Sequence, residues 1–471
     1  MSVEADSWRE SARAIAAGVR AGDLSAAAVV EAHLARVDEV NPRVGALTVV
    51  FAEQAREAAA AVDATVRAGH DPGPLAGVPF SVKENIDLMW SATTHGWRGA
   101  LDAVPEQDAT AVARLRAAGA IPLGRGNMPD FGMRWDTDND VFGRTRNPWS
   151  TRHSPGGSSG GDAVAVATGM VAFGLGNDYG GSVRVPADAV GVVGFRPTGG
   201  RIPSSAARRR DPVPLSLQHF STTGILARSA DDVAAVFDIV DGADGVDPFA
   251  VTRAAAAVDT LKRAAIARDP FRDGESEANL RAQDAAVDAL ERAGWEIVEG
   301  QPPLLDEAVA GWRLLSTTEM QAAYGPDRWD PPLGAGASRF LELAGGAQSH
   351  IGSVEEYMAV WARRAVVAAA WQSFFRENPV LVGAVSEARP AHADADLADA
   401  RTAGDWWRRY RLSVAANYLA LPAIAVPTGL AADGLPVGVQ VMAAAGADHL
   451  ALAAARAIGQ ARGVPTPISP R

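Results

Sequence analysis

The sequence predicts an α/β fold that forms one large domain. Short runs with strand character alternate with helical runs along the whole chain, a pattern typical of α/β proteins. No internal repeat, low-complexity tract or convincing linker interrupts this alternation, and 48% of the 471 residues are hydrophobic, which is enough for a large core. We therefore expect residues 1–471 to form a single domain, with an N-terminal helical segment of about residues 1–68 packed on it.

The first predicted elements are helices with apolar residues on one face. Residues 5–21 and 26–40 show helical periodicity, and Ser25 is placed to cap the second helix. A third helix is predicted over residues 52–68, and the breaker Asp-Pro-Gly-Pro at 71–74 ends this helical segment.

Two short strands and a long loop follow. Residues 78–82 predict a strand with Lys83 at its end, and a helix over 109–118 leads into a strand at 121–123. Residues 125–160 are rich in Gly, Asn, Pro, Ser and Thr, which predicts a structured loop. A loop of this length in a compact protein is usually functional.

The rest of the chain continues the alternation. The small apolar run 163–168 predicts a buried helix, and residues 171–175 predict a core strand. The later predicted helices cover residues 276–292, 305–322, 354–377, 402–417 and 447–461. The later predicted strands cover residues 295–298, 422–427 and 437–442.

Charge and composition argue against several classes of function. The net charge of −12 disfavours binding to nucleic acid or to anionic membranes. The chain has no cysteine, which excludes disulfides, thiolate nucleophiles and cysteine-ligated zinc. Its acidic start lacks the apolar run of a signal peptide, and no stretch of about 18 apolar residues predicts a membrane span. We therefore expect a cytoplasmic protein without nucleic-acid or membrane partners.

Two glycine-serine loops carry the candidate chemistry. Residues 154–161 read Ser-Pro-Gly-Gly-Ser-Ser-Gly-Gly, and residues 176–186 read Gly-Asn-Asp-Tyr-Gly-Gly-Ser-Val-Arg-Val-Pro. Glycines let successive N–H groups approach a ligand closely, which suits a phosphate or the oxyanion of acyl transfer. A Walker loop would end in Gly-Lys-Ser/Thr, whereas Asp162 follows Gly161 here and would repel phosphate. The loops therefore favour acyl transfer on a serine.

A serine nucleophile needs a base, and Lys83 is the best candidate. Only Lys83 and Lys262 among the 44 basic residues are lysines. A neutral lysine can accept a proton, whereas arginine stays protonated in proteins. His153 is the only histidine near either loop. Burial at the end of a strand would lower the pKa of Lys83 and make its neutral amine accessible.

These residues resemble the amidase signature family. The similarity rests on the glycine-serine loops and on Gly-Val-Pro-Phe-Ser-Val-Lys at 77–83. The intervals also agree, with 75 residues from Lys83 to Ser158 and 24 from Ser158 to Ser182. The similarity covers nearly the whole chain, and further matching segments are Gly126–Phe131, Thr145–Trp149, Gly194–Thr198, Leu421–Pro427 and Gly434–Gly438.

The resemblance implies both a fold and a mechanism. The fold would be a mixed central β-sheet covered by helices on both faces. Ser182 would be the nucleophile, Ser158 a bridging serine on a cis peptide bond after Gly157, and Lys83 the base that acts through Ser158. No metal and no organic cofactor would be needed, the partner would be a small-molecule amide, and the protein would be a monomer or homodimer.

The resemblance also assigns supporting residues around the triad. The oxyanion hole would consist of the backbone N–H groups of residues 179–182, namely Tyr179, Gly180, Gly181 and Ser182. The residues that would surround the triad and support it are Ser159, Asp178 and Arg184. Four side chains would line the acyl side of the substrate pocket and favour a hydrophobic or aryl acyl group: Met128, Phe131, Met133 and Trp135.

The sequence departs from the family pattern at four positions near these loops. Asn177 replaces the usual threonine, and Asp162 stands where a small residue is usual. Arg125 and Arg196 stand where lysine is frequent. None of these positions belongs to the proposed triad.

Other interpretations of the same residues remain open at this stage. The segment Gly156–Gly160 fits the Gly-x-Ser-x-Gly elbow of an α/β-hydrolase esterase using Ser158, although such an elbow should follow a strand. A second alternative is the amidase-type subunit of a tRNA-dependent amidotransferase, and a third is an inactive scaffold. The run His392–Asp396 resembles a metal cluster but is predicted to be a solvated acidic loop, and Arg208–Arg210 is predicted to be an exposed loop.

Overall fold

One mixed sheet of eleven strands lies at the centre of the residues that the computed structural model describes. The described residues are 3–204, 213–252, 261–325, 328–346, 351–461, 463 and 465–471. In chain order the strands are β1 (Leu47–Val50), β2 (Pro79–Lys83), β3 (Ile121–Gly126), β4 (Phe173–Asp178), β5 (Val193–Arg196), β6 (Thr222–Ala227), β7 (Arg263–Ile266), β8 (Glu296–Glu299), β9 (Val380–Gly383), β10 (Ala423–Leu430) and β11 (Pro436–Ala443). The run Arg208–Arg210 lies outside the described residues.

Fifteen α-helices of the described residues connect and flank these strands. They are α1 (Ala12–Ala21), α2 (Ala26–Val44), α3 (Ala52–Arg67), α4 (Thr110–Ala117), α5 (Gly160–Ala167), α6 (Arg184–Val190), α7 (Leu215–Phe220), α8 (Ala230–Val240), α9 (Glu277–Arg292), α10 (Leu305–Tyr324), α11 (Ala335–Gly346), α12 (Val354–Glu377), α13 (Ala400–Arg409), α14 (Arg411–Tyr418) and α15 (Asp448–Gln460). Within the described ranges, none of the helices is both long and apolar enough to span a bilayer.

The strand order confirms the predicted α/β fold with a mixed sheet. The order is β1-β3-β2-β4-β6-β5-β10-β11-β9-β7-β8. Strand β2 pairs in parallel with β3 and β4, whereas β4 pairs with β6 and β10 with β11 in antiparallel fashion. Every residue of β2, β3 and β11 is buried. Because neighbouring side chains of a strand point to opposite faces, both faces of these strands are covered.

Helix starts agree with the sequence where a side chain caps the helix. Ser25 accepts the Ala28 N–H at 3.3 Å and begins α2, as predicted. The predicted helix over 5–21 is instead divided, because Ser11 accepts the Ala14 N–H at 3.1 Å and starts α1 as a new helix after a short 3-10 segment.

The structure contains several elements that the sequence pattern did not predict. They are mainly short strands and helices in the middle of the chain: β1, β5, β6, β7, β9, α6, α7, α8 and α11. These strands are only 4–6 residues long. Runs this short carry little periodicity, so neighbouring strands of the sheet decide their conformation. The predicted helix over 402–417 is also divided, into α13 and α14 at Tyr410.

The topology brings the glycine-serine loops to one edge of the sheet. Strands β2 and β4 are parallel neighbours, so their carboxyl ends lie on the same side. Lys83 ends β2, and residues 179–182 follow the end of β4. Helix α5 follows the loop that carries Ser158 and packs against both strands. The three candidate catalytic residues are therefore brought together by adjacent elements.

Candidate active site

Lys83 is completely buried at the end of β2. Its Nζ atom lies 2.7 Å from Ser158 Oγ and 2.8 Å from Asn177 Oδ1. Burial lowers the pKa of Lys83 from 10.5 to about 7, against the opposing charges of Asp162 and Asp178. The neutral amine is therefore accessible near neutral pH at a group that touches Ser158.

Ser158 is held in a tightly packed turn before α5. The Gly157–Ser158 peptide bond is cis, as the resemblance implied. A Cβ atom on Gly157 would lie 2.7 Å from the Arg134 carbonyl oxygen, and one on Gly132 would lie 2.9 Å from Ser158 Oγ. Both glycines let neighbouring backbone approach this serine closely.

Ser182 faces the same cavity as Ser158. Its side chain is 6% exposed, and both serines line one cavity of about 450 Å³. The Ser182 carbonyl accepts the Ser159 N–H at 3.0 Å, and Ser159 Oγ donates to the Asn177 carbonyl at 3.4 Å. Ser159 therefore ties the two glycine-serine loops to each other through backbone contacts.

A buried ion pair shapes the loop that carries Ser182. Arg184 donates from Nε to Asp178 Oδ2 at 3.0 Å and from Nη2 to Asp178 Oδ1 at 2.9 Å. Burial alone would raise the pKa of Asp178, but the charges and hydrogen bonds of Arg184, Arg196 and Asn417 hold that pKa well below its usual range. The carboxylate is thus ionised and can organise the backbone around it.

Asp178 uses this carboxylate to hold the turn after β4. Its Oδ1 accepts the Gly181 N–H at 2.9 Å, and its Oδ2 accepts the Val183 N–H at 3.2 Å. Gly181 has a φ of +97°, which a side chain would oppose. The Gly181 N–H, which the sequence assigned to an oxyanion hole, therefore already has an acceptor in this structure.

Two tryptophans fix the peptide groups on either side of Gly180. Trp312 Nε1 donates to the Tyr179 carbonyl at 3.0 Å, and Trp135 Nε1 donates to the Gly180 carbonyl at 2.8 Å. In a trans peptide the N–H points away from the preceding carbonyl, so the Gly180 N–H is directed away from Trp312. In the described part of the chain, neither the Tyr179 N–H nor the Gly180 or Ser182 N–H has a hydrogen-bond acceptor.

The cavity has an aromatic wall on one side. Phe131 lines it, and its ring lies 5.0 Å from that of Tyr324, which also lines the cavity. Met128, Met133 and Trp135 are buried and do not line the cavity. Trp135 instead packs against Trp407, Tyr410 and Trp312 behind the loop.

Arginine replaces the family's lysine at two buried positions without touching the cavity. The Arg125 guanidinium donates to the Leu88 and Ser91 carbonyls, both at 3.2 Å, and so supports the backbone that follows Lys83. Arg196 donates to the Asp178 carbonyl at 2.7 Å. Both side chains therefore hold backbone that leads into or out of the site.

The acidic run near residue 394 forms an ion-pair network with arginines. Asp136, Asp394 and Asp396 have carboxylate oxygens within 4.8 Å of one another. Within the described ranges this is the one group of three or more acidic or histidine side chains that lie so close together. Arg134 donates to Asp396 at 2.8 and 2.9 Å, and Arg144 donates to Asp136 at 2.9 Å. The prediction of a solvated loop is wrong for Asp396, which is fully buried against Arg134.

Sequence reasoning overlooked several residues around the site. Neither Asn177 nor Asp162 was assigned a role at the site from the sequence, yet Asn177 contacts Lys83 and Asp162 acts on it electrostatically. Met320, Tyr324 and Phe249 line the cavity from distant segments, and no local motif marks them. For Asn177 and Asp162, the departure from the family pattern was the feature of the sequence that could have pointed to a role at the site.

Comparisons with known proteins find relatives that match this chain over nearly its whole length. The family described as Amidase matches residues 28–452. Indoleacetamide hydrolase of Bradyrhizobium diazoefficiens is 34% identical over 465 residues, covering 97% of this chain and 87% of that protein. A glutamyl-tRNA(Gln) amidotransferase subunit of Salinispora arenicola is also 34% identical and covers 97% of this chain and 98% of its own length.

A solved structure supports the same relationship. The 6-aminohexanoate cyclic dimer hydrolase, solved in complex with its substrate, superposes with a TM-score of 0.82 at 26% identity, covering 98% of this chain and 99% of that one. The elbow of an α/β-hydrolase is not found, because residues 147–155 before Ser158 form no strand and the contact of its hydroxyl is Lys83. On these grounds the chain belongs to the amidase signature family and is an amidohydrolase of that family.

Proposed function

We propose that this protein hydrolyses a carboxylic amide through an acyl-enzyme on Ser182. The observation that carries the proposal is the contact between Lys83 Nζ and Ser158 Oγ, at 2.7 Å, in the cavity that Ser182 also lines. Ser158 has a hydroxyl that can both accept and donate, so it can pass a proton between Ser182 and Lys83. The buried amine supplies the free lone pair that this transfer needs.

The reaction has two halves in this proposal. Ser182 Oγ attacks the amide carbonyl while its proton passes to Ser158 and the proton of Ser158 passes to Lys83 Nζ. The ammonium of Lys83 then returns a proton through Ser158 to the leaving amine, which is otherwise a poor leaving group. In the second half, water attacks the acyl carbonyl while its proton passes through Ser158 to Lys83 Nζ. Lys83 then returns a proton through Ser158 to Ser182 Oγ as the ester bond breaks and the acid is released.

Backbone N–H groups would stabilise the charge that develops on the carbonyl oxygen. The amides of Tyr179, Gly180 and Ser182 have no acceptor among the described residues, which supports this role. The Gly181 amide is held by Asp178, so it would contribute only by sharing its hydrogen between two acceptors. Asp178 and Arg184 support the reaction by fixing this loop.

We infer a hydrophobic or aryl acyl group for the substrate. The cavity of about 450 Å³ is large enough for such a group, and Phe131, Tyr324, Met320 and Phe249 give it apolar and aromatic walls. Pockets of this kind usually recognise the bulk of a small molecule by apolar contact. A panel of amides, anilides, hydrazides and esters with matched acyl groups would define the preference.

A covalent probe tests the assignment of the nucleophile. A fluorophosphonate should label Ser182, and peptide mapping should place the adduct there in the wild type and find none in Ser182→Ala. Labelling that persists in Ser182→Ala, or that maps to Ser158, would contradict the proposal. Lys83→Ala should slow amides more than activated esters, because an ester leaving group needs little protonation.

A second candidate function is supply of ammonia as one component of an amidotransferase. The identity of 34% with a glutamyl-tRNA(Gln) amidotransferase subunit, over 98% of its length, favours it. The purified chain would then release ammonia from glutamine only weakly when alone and faster with partner subunits. Hydrolysis of aryl amides by the isolated chain at rates well above glutamine hydrolysis would favour the first function.

A further inference from the structure

Asp162 lies in the first turn of α5, with its side chain wholly buried next to the strand that carries Lys83. Ser81 Oγ donates to Asp162 Oδ1 at 2.7 Å. Ser81 and Lys83 are two residues apart on β2 and therefore point to the same face of the sheet. The carboxyl group thus lies on the face of β2 from which Lys83 projects.

Two glycines leave the space that this carboxyl group occupies. A Cβ atom on Gly126 would lie 2.2 Å from Asp162 Oδ1, and one on Gly174 would lie 3.0 Å from Asp162 Cβ. Gly126 is also the register partner of Lys83 in the parallel pair of β2 and β3. The carboxyl group therefore packs against the backbone at the level of Lys83. A side chain at position 126 or 174 would occupy the space that it needs.

The carboxyl group is only partly satisfied by hydrogen bonds. Asp162 Oδ2 is buried and has no hydrogen-bond partner among the described residues. A buried carboxylate with an unsatisfied oxygen is unfavourable unless a positive charge lies nearby. Ionised Asp162 therefore needs a positive charge close to it.

Charged groups on three neighbouring strands act electrostatically on the pair formed by Asp162 and Lys83. Glu84, next to the end of β2, and Arg125 of β3 act on Asp162, and Asp178 at the end of β4 acts on Lys83. Burial raises the pKa of Asp162, whereas the Ser81 hydrogen bond and the charge of Lys83 lower it. Burial lowers the pKa of Lys83, and the negative charge of Asp162 is the largest influence that opposes this.

We propose that Asp162 is a positioning residue whose buried carboxylate stabilises the ammonium group that forms on Lys83 during attack by Ser182. The inference rests on the proposed function, in which Lys83 is the base. As the bond from Ser182 Oγ to the carbonyl carbon forms, the carbonyl π electrons move to oxygen. The Ser182 proton moves to Ser158, and the Ser158 proton moves to Lys83. Asp162 itself exchanges no proton in this step, and its charge offsets the new positive charge on Lys83.

The substitution Asp162→Asn tests this role with little change in size. Without the negative charge Lys83 becomes a weaker base, so its ammonium loses its proton at a lower pH. The acid limb of the pH–rate profile, which reports formation of neutral Lys83, should move down by about 1 pH unit. The plateau rate should fall by up to about tenfold, because a weaker base accepts the proton less readily.

The readouts are Ser182 labelling by a fluorophosphonate and hydrolysis of a 4-nitroanilide, both followed from pH 5 to 9. Ser81→Ala keeps the carboxyl group but removes its hydrogen-bond donor, so its acid limb should move in the same direction by less. Asp188→Asn is the matched control, because Asp188 is a half-buried aspartate that also has a buried Oδ1 without a partner among the described residues, and Lys83 is not among the charges that act on it. Its profile should equal that of the wild type.

The outcomes separate this inference from the proposed function. Shifts in Asp162→Asn and Ser81→Ala, with none in Asp188→Asn, support the role of Asp162. An unchanged acid limb and plateau in Asp162→Asn would overturn it, and if that variant does not fold, the Ser81→Ala profile decides in the same way. Amide hydrolysis that survives in Lys83→Arg would instead overturn the proposed function itself.

Discussion

Replacing Lys83, the proposed base, by arginine keeps a positive charge at this position and removes the ability to accept a proton. Burial lowers the pKa of Lys83 from 10.5 to about 7, so neutral amine at pH 7 is on the order of 10³-fold more abundant than on an exposed lysine. An arginine stays protonated throughout this range. We expect kcat/KM for an amide to fall by about 10²–10⁴-fold, the usual contribution of a general base. This corresponds to ~3–5 kcal/mol of transition-state stabilisation.

The assay is the pH dependence of kcat/KM for a 4-nitroanilide between pH 5 and 9. The wild-type rate should fall as the pH drops through about 7, because the amine is neutral above its pKa and protonated below it. Lys262→Arg is the matched control, since Lys262 is exposed and its Nζ donates to the Ala293 carbonyl at 3.1 Å. Retention of more than about a tenth of wild-type amide activity by Lys83→Arg would refute the reasoning, because it lies outside the expected range.

Three further predictions concern the surroundings of the triad. Asn177→Ala removes the second acceptor of Lys83 Nζ, and kcat should fall about tenfold without a change in folding; an unchanged kcat would show that this contact is dispensable. Asp178→Asn leaves Arg184 buried without its counter-charge, and urea denaturation should show a free energy of unfolding lower by about 3–5 kcal/mol. The stability that ionised Asp178 contributes is present above its unfolded pKa and is lost as the pH falls below that value, so the wild type and Asp178→Asn should converge in strong acid. Phe131→Ala should raise KM about tenfold for aryl acyl amides and little for acetamide, and equal effects on both would argue against an aryl pocket.

The three residues that meet at the candidate site could be picked out from the sequence because they lie in distinctive local features. Lys83 is one of two lysines, and Ser158 and Ser182 lie in two glycine-rich segments. The end of β2 at Lys83 agrees with the strand pattern, within one residue. Long helices could also be predicted from the sequence, since α12 has the predicted bounds of residues 354–377.

The rest of the site could not be predicted because it depends on contacts between distant segments. Nothing near Gly181 shows that its N–H is taken by Asp178, since this follows from the curvature of the turn. The position of Trp135 in the sequence predicts a pocket residue. In the structure its indole lies behind the loop, where it donates to the Gly180 carbonyl and packs against the tryptophans of α10 and α13. The walls contributed by Phe249 and Tyr324 depend on how the later segments pack over the sheet.

The link between Arg184 and the last third of the chain has a consequence for protein synthesis. Arg184 donates to the Ser413 carbonyl, to Asn417 and to Gln440, at 3.0, 2.7 and 2.9 Å, more than 220 residues further on. A ribosome therefore completes Ser182 long before these three partners of Arg184 exist, so the loop of the proposed nucleophile lacks part of its support while about 230 further residues are made. We therefore expect a fragment that stopped before α14 to be a poor catalyst, although it would contain Lys83 and both serines, because it would lack these partners of Arg184.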